Sequence, residues 1–342
     1  MVNSIWWRLI RRLGQALLVV FGVVCLTFLI VRVVPGDPAL AYAGPRASQS
    51  QLAQVREKLG VDDPLIVQLF RYLTDLLSGD LGMSLRTRHP VAQDLATALP
   101  ASLQLTGAAI LLAVAVGVPL GILAARYRAR GIDWGVRVLS VLLVSLPVFW
   151  VAVMLQLYFS TKLGWLPTAG AFDSGLKQSS PLTTITGMTV VDSLLTGNWA
   201  MLGSGLKHLI LPMVVIAAYP IGLIAQMTRA SVSDELQLPH VTYARAAGFS
   251  ERSIFTSLAL RPALNPVISA IALVFAYSLV NSFLVEGIFN WPGLGSYTFA
   301  AIRAVDVPAV AGVTLVIAIL YVTLNFLVDI VQSLIDPRVS SM

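Results

Sequence analysis

Charge is scarce in this sequence. Lys, Arg, Asp and Glu make up 12% of its 342 residues, whereas an ordinary soluble domain carries about a quarter, so a water-covered globular surface is excluded. Cysteine occurs once, as Cys25 inside an apolar run, which excludes an intrachain disulfide and leaves the redox compartment open. The three histidines, His89, His208 and His240, lie in separate segments, and no pair on one helical turn forms a His-Glu-x-x-His metal site. A phosphate-binding loop is missing as well: GSGLKH at 203–208 does not have the P-loop spacing. No cofactor is therefore expected in this chain.

What fills the sequence instead is apolar residues, 57% of the total, with a mean hydropathy of +0.81. A bilayer core needs about 20 mostly apolar residues per helix. Six charge-free runs meet or approach that length: Leu13 to Val31, Ala96 to Ala125, Val138 to Thr161, Leu209 to Thr228, Pro262 to Val285 and Val307 to Val328. None alternates with period two, so a membrane β-barrel is excluded and an all-α, polytopic bundle of six transmembrane helices is predicted. The first run is too long for the apolar region of a secretory signal, roughly 7 to 15 residues, despite the cleavage-like Ala41-Tyr42-Ala43. It reads as an uncleaved helix. Pro100, Pro119, Pro147, Pro212, Pro220 and Pro266 fall in the runs and remove backbone donors, either as gating hinges or as packing irregularities.

Basic residues next to short loops set orientation. Arg8, Arg11 and Arg12 before the first run, and Arg126, Arg128, Arg130 and Arg137 against Asp133 after the second, place both regions in the cytoplasm. The carboxyl end is then cytoplasmic too, and segments 35–95 and 162–207 lie outside. The formal charge of +6 follows from this pattern and from lipid headgroups, with no nucleic acid needed. In the first outer segment, Leu52, Val55 and Leu59 share a helical face between Ser50 and Gly60 as caps. Asp63-Pro64 starts a second helix striped by Leu65, Leu69, Leu73 and Leu76 and ended by Gly79. The other outer segment, 162–207, is too long for a bare connection and is expected to meet a partner.

The cytoplasmic stretch 229–261 is polar enough to stay out of lipid. Within it Val241 to Ala247 predicts a short helix. Ala244, Ala246 and Ala247 keep it slim, and Gly248 is placed to end it in the left-handed conformation. Ser250 caps a following helix with Glu251 in its first turn. A helix, a Gly break and another helix make a rigid knob, which calls for something to dock on it.

TYARAAG at 242–248 followed by LALRPALNPV resembles the cytoplasmic signature loop of binding-protein-dependent ABC importer permeases. Thr242 and Tyr243 stand where the general pattern has an acid and Ala, while Ala244 and Gly248 agree. VVPGDPA, DPLIVQLFRYL, SGDLGMSLRTRHPV, VEGIFNWPGLG and LVDIVQSLIDPR, in that order, resemble the B-type subunit of dipeptide, oligopeptide and nickel permeases over nearly the whole chain. SSPLTTITGMTVVDSLLTGNW is similar to the dipeptide type.

The resemblance implies the type I ABC importer fold, with 1–95 as first helix and outer segment and 96–342 as permease core. It also implies a second homologous permease subunit, two ATPase subunits or domains that bind ATP and Mg, an extracytoplasmic peptide-binding protein, and residence in the bacterial inner membrane. The knob, with Val241, Tyr243, Ala244, Arg245, Ala247, Gly248 and Ser250, would be the ATPase-coupling element, and Arg245 would reach an acidic group on the partner. Polar residues in the runs are costly to expose to lipid: Gln156, Asn265, Asn281 and Ser282 are path-lining residues or interhelical hydrogen bonders, and Glu286, at a span end, is a further path or gate candidate, expected in an ion pair rather than in a proton relay. Pro292, Gly293 and Gly295, beside an interface-seeking Trp291, predict a tight turn at the outer gate. Two readings other than a peptide importer stay open: an ion-coupled secondary transporter, disfavoured by the near absence of intramembrane charge and of repeats, and the same architecture carrying haem or a nickel complex.

Overall fold

The computed structural model describes residues 2–33, 48–59 and 63–335. Gly60 and the VVPGDPA motif lie wholly or largely outside them, as does the end of the tail motif. Among the described residues every regular element is helical; the sole extended pairing is a bridge between Met83 and Pro90. In order the helices are α1 (Val2–Val33), α2 (Gln49–Leu59), α3 (Leu65–Leu77), α4 (Val91–Arg126), α5 (Gly131–Ser145), α6 (Val148–Lys162), α7 (Leu176–Ser179), α8 (Thr189–Leu195), α9 (Trp199–Glu235), α10 (Pro239–Ala246), α11 (Glu251–Ile288), α12 (Leu294–Arg303) and α13 (Val307–Ile335).

Four of these, α4, α9, α11 and α13, are long and apolar enough to span a bilayer as single helices. The described apolar core of α1 is Leu17–Leu29. The expected third span differs: α5 and α6 meet at a bend of 97°. Pro147 disfavours helical geometry in the residue before it, and Leu146 is extended with ψ 132°. The other prolines, Pro100, Pro119, Pro212, Pro220 and Pro266, sit inside continuous helices, so only one of the six breaks a span. Both α6 and α11 contain a π-helical turn, at Gln156–Lys162 and Ile254–Leu260.

Span boundaries shift as well. α9 begins at Trp199 and runs 37 residues, about 56 Å, against a hydrocarbon thickness of about 30 Å. It is therefore longer than a bilayer core requires, absorbs residues 199–208 of the expected outer loop, and carries Arg229 to Glu235 in its last turns. α2 is capped by Ser48, not Ser50: the Ser48 hydroxyl accepts from Gln51 N at 3.3 Å while the Gln51 side chain accepts from Ser48 N at 2.9 Å, a reciprocal capping box. α3 starts after Pro64 and is followed by Gly79 at φ +83°, as expected. Leu69, Leu73 and Leu76 are half-buried, but Leu65 is exposed.

The chain forms two compact units, Met1–Leu99 with Ser296–Phe326, and Pro100–Gly295 with Leu327–Met342, a division that differs from the expected 95/96 boundary because the chain returns to the first unit after Gly295. In the first unit, Asp306 caps α13 by accepting from Ala309 N at 3.2 Å and gathers the SGDLGMSLRT loop, accepting from the Ser84 hydroxyl at 2.5 Å and Arg86 N at 3.0 Å. Asp94 accepts from the Thr87 hydroxyl at 2.6 Å and the Tyr297 hydroxyl at 3.0 Å. In the second unit, α4, α6, α9 and α11 enclose a core of Leu105, Ala109, Ala113, Ala152, Leu211, Val215, Ile224, Val285 and Trp291. Helices in lipid gain from close backbone approach at small residues. A Cβ on Gly121 of α4 would lie 2.5 Å from the Thr228 side chain, and one on Gly222 of α9 would lie 2.7 Å from the Ser140 carbonyl.

Candidate functional site

The knob is built as its sequence dictates. α10 starts with Pro239 in its first turn, where a missing N–H costs nothing. It ends at Gly248, φ +82°. Gly248 N reaches Arg245 O at 3.2 Å and Phe249 N reaches Ala244 O at 3.1 Å, a Schellman stop that favours glycine at this φ. No atom lies within 4 Å of where a Gly248 Cβ would stand, so conformation rather than crowding by its own chain requires glycine there. Ser250 then caps α11 by accepting from Ser253 N at 3.3 Å.

Arg245 has its partner within the chain. Its Nε and Nη2 donate to the Glu251 carboxylate at 2.6 and 3.2 Å, a forked pair that braces α10 against the start of α11. The hydrogen bond and the charge of Arg245 hold the Glu251 carboxyl below its ordinary value. Val241 is fully buried, as is Ile254 in the π turn, so Val241 anchors the knob and presents no free surface. Tyr243 and Phe249 are 76% and 57% exposed. Ala247, Gly248 and Ser250 are exposed and Ala244 is half-buried. The aromatic Phe249 was not among the sequence candidates; its position just after the helix-ending Gly is the signal that marks it.

The WPGLG turn is a packed knot, which corrects the interface reading of Trp291. Trp291 is 1% exposed, and its indole N–H donates to Ala101 O at 2.9 Å, because a buried Trp needs an acceptor. α11 ends with Asn290 at φ +46° and Trp291 N on Glu286 O at 2.9 Å. Glu286 is fully buried beneath the turn. It accepts from the Ser282 hydroxyl at 2.8 Å and from Gly295 N at 2.7 Å, while Leu294 N donates to the Ser102 hydroxyl at 2.8 Å. A Cβ on Gly293 would overlap both the Glu286 carboxylate and the Ser102 hydroxyl, and one on Gly295 would stand 2.5 Å from Phe283 Cα. Both glycines are needed for space. Pro292 alone of the turn is exposed. Ser102 was missed because a lone serine in an apolar run carries no local signal.

The remaining polar candidates do not converge. Gln156 donates to Thr168 O at 2.8 Å and closes a loop. Asn281 is exposed on α11 and donates to Tyr277 O of its own helix at 2.9 Å. Asn265 is half-buried. Sequence reasoning also missed an ion cluster: Asp133, 1% exposed, accepts from Arg229 Nε and from Arg229 Nη2, the latter at 3.0 Å, and from Ala129 N at 3.0 Å, with Arg137 Nε at 3.5 Å. Arg229 therefore belongs to the helix packing and not to a solvated loop. The one signal was a single acid among four arginines.

Within segment 163–198, one carboxylate gathers the turn at 185–187. Asp192 accepts from Thr186 N at 2.8 Å, the Thr186 hydroxyl at 2.7 Å, Ile185 N at 3.2 Å and Gly187 N at 3.0 Å. Burial pushes its carboxyl up, and the Thr186, Ile185 and Gly187 hydrogen bonds outweigh that and hold it below its ordinary value. A depressed folded-state carboxyl stabilises above the unfolded value, about 3.9, and that contribution fades as pH falls through the lower folded value. Amide-exchange protection at 185–187 is therefore expected to be constant from neutral pH down to about 4 and lost below it, and Asp192→Asn should remove the protection at every pH. Equal protection in that variant would overturn the assignment.

These features define a polytopic α-helical membrane protein with an exposed knob between two spans. The family model described as binding-protein-dependent transport system inner membrane component matches residues 117–341, and its amino-terminal companion matches 6–106. This chain belongs to that family. It is 39% identical over 335 residues, 98% of each chain, to the probable D,D-dipeptide transport system permease protein of Escherichia coli. It is 38% identical to the di/tripeptide transport system permease protein of Pseudomonas aeruginosa, covering 96% of this chain and 97% of that one. It is 36% identical to the dipeptide transport system permease protein of Alkalihalophilus pseudofirmus, covering 96% and 98%.

Proposed function

We propose that this chain is one transmembrane subunit of an ATP-driven importer and forms, with a second homologous permease subunit, the path for di- or oligopeptides handed over by an extracytoplasmic binding protein. The cargo class rests on the relatives, which are named for D,D-dipeptides, dipeptides and di/tripeptides. Both chain ends and the knob lie in the cytoplasm, and segment 163–198 faces the binding protein. ATP and Mg belong to two ATPase subunits. The exposed face of α11 that carries Asn281, with Leu273, Tyr277, Val280 and Leu284, faces the second subunit and the path.

The observation that carries this reading is the knob: a helix anchored by buried Val241, braced by Arg245 and Glu251, and offering Tyr243 and Phe249 to the outside. Aromatic anchors at interfaces cost about 2 kcal/mol or more when truncated. In the importer reconstituted with its binding protein, Tyr243→Ala is expected to leave the chain in the membrane with its melting temperature unchanged, since the side chain is exposed. It should cut transport and the stimulation of ATP hydrolysis by loaded binding protein at least tenfold, which about 1.4 kcal/mol already corresponds to. Normal transport and normal stimulation in both Tyr243→Ala and Phe249→Ala would remove the knob as the ATPase contact.

A further inference from the structure

α3 carries three large apolar side chains that the chain itself leaves uncovered: Ile66, Phe70 and Leu77 are 69%, 67% and 89% exposed. At about 100° per residue they fall within roughly 40° of one another around the helix. Gln68, Arg71 and Asp75 fall within about 60°, centred roughly 150° away. On that polar side Arg71 Nη2 pairs with Asp63 at 2.8 Å, and Gln68 donates to Asp63 O at 2.6 Å. The helix is thus amphipathic with its apolar arc divided: Leu69, Leu73 and Leu76 are half-buried, while the edge carrying Ile66, Phe70 and Leu77 is left uncovered.

The level of α3 is fixed by a ring contact. Tyr72 stands 5.8 Å from Phe28 of α1, centroid to centroid. Phe28 lies inside the apolar core Leu17–Leu29, five residues before the end of α1, which is about 7.5 Å along the axis. Apolar side chains along α1 are uncovered: Leu17, Leu18, Phe21, Leu26 and Leu29 are all more than half exposed. A helix touching Phe28 therefore lies at the boundary between acyl chains and headgroups, where a Tyr with an apolar body and a polar tip is favoured.

From this placement we infer that α3 is an interfacial anchor whose Ile66, Phe70 and Leu77 insert among the acyl chains of the leaflet reached by the carboxyl end of α1, with Asp75 and the half-buried Arg71 turned toward the headgroups and water and Gln68 buried against the chain. Such helices lie in the plane of the interface with the apolar side sunk about 5 to 10 Å. The anchor would hold the loop that follows α3, docked on Asp306, at a set height above the bilayer.

The test uses the assembled importer in liposomes of phosphatidylethanolamine and phosphatidylglycerol. In a Cys25→Ser background, nitroxides are attached at Ile66→Cys, Phe70→Cys, Leu77→Cys and, for reference, Asp75→Cys. At the first three, collisions with oxygen are expected to exceed those with a water-soluble nickel chelate, and at Asp75 the order should reverse. Chelate collisions at all three as frequent as at Asp75 would place the face in water. Exclusion of both reagents would place it under another protein subunit. Either result overturns the inference. A second measurement needs no substitution: a phospholipid with a photoactivatable acyl chain should label peptide 65–77 as well as 17–29, and labelling of 17–29 alone would overturn it too.

Discussion

Gly293→Ala is expected to abolish transport and sharply lower the amount of folded protein in the membrane, although it adds a single methyl group. That methyl would occupy the space of the Glu286 carboxylate and the Ser102 hydroxyl. Neither can withdraw without losing a partner, because Glu286 holds Ser282 and Gly295 N, and Ser102 holds Leu294 N. Overpacking a filled site costs about 1 to 3 kcal/mol, and each buried polar group left unpaired adds about 1 to 3 kcal/mol more. The thermal midpoint in detergent and the transport rate are the readouts. The same methyl with Glu286→Ala should cost less than the sum of the two single changes, because the truncated side chain vacates the space. Full stability and transport in Gly293→Ala would mean that the turn is not packed as described. Gly295→Val should act in the same direction through Phe283.

Arg229→Ala should be nearly as damaging. It leaves Asp133 buried at 1% exposure with Ala129 N and the more distant Arg137 as its remaining described neighbours, and breaking a buried pair from one side costs about 3 to 5 kcal/mol. Arg229→Lys is expected to rescue poorly, because one ammonium cannot reproduce the two-point grip of the guanidinium on both carboxylate oxygens. Replacing both partners, Asp133→Leu with Arg229→Met, should recover most of the stability, since a buried pair can be exchanged for apolar packing at little cost. If the double variant melts no higher than Arg229→Ala alone, the pair contributes something other than helix packing. Because α5 and α9 meet here just before α9 leads to the knob, loss of ATPase stimulation in a double variant that melts normally would assign the pair to force transmission.

How much of this was legible beforehand differs from element to element. The knob was largely legible: a short slim helix, Gly248 to stop it and Ser250 to cap the next, although the helix starts at Pro239, two residues before the expected Val241. Each is a local backbone preference, and local preferences are written in neighbouring residues. The α3 helix after Pro64 was legible for the same reason, and the spans for a simpler one, since every backbone group in lipid has to be satisfied internally and length with apolarity suffices to show it.

What failed to show was each feature that joins distant parts of the chain. Asp133 and Arg229 read as loop charges, because nothing near either residue announces a partner 96 positions away. Trp291 read as an interface residue because its indole acceptor, Ala101, is 190 positions distant. Arg245 is the local exception: its expected acceptor was on another subunit, whereas Glu251 lies only six residues on. The break of the third span was half written, as one proline among six, and only packing could decide that Pro147 would end a helix while Pro100, Pro119, Pro212, Pro220 and Pro266 would be carried within one. The sequence by itself determined that the chain is a membrane bundle with a knob between two spans, since hydropathy and helix ends are local. Tertiary structure alone decided which polar groups are buried and paired, because the low dielectric that makes an unpaired group costly exists only once the helices have come together.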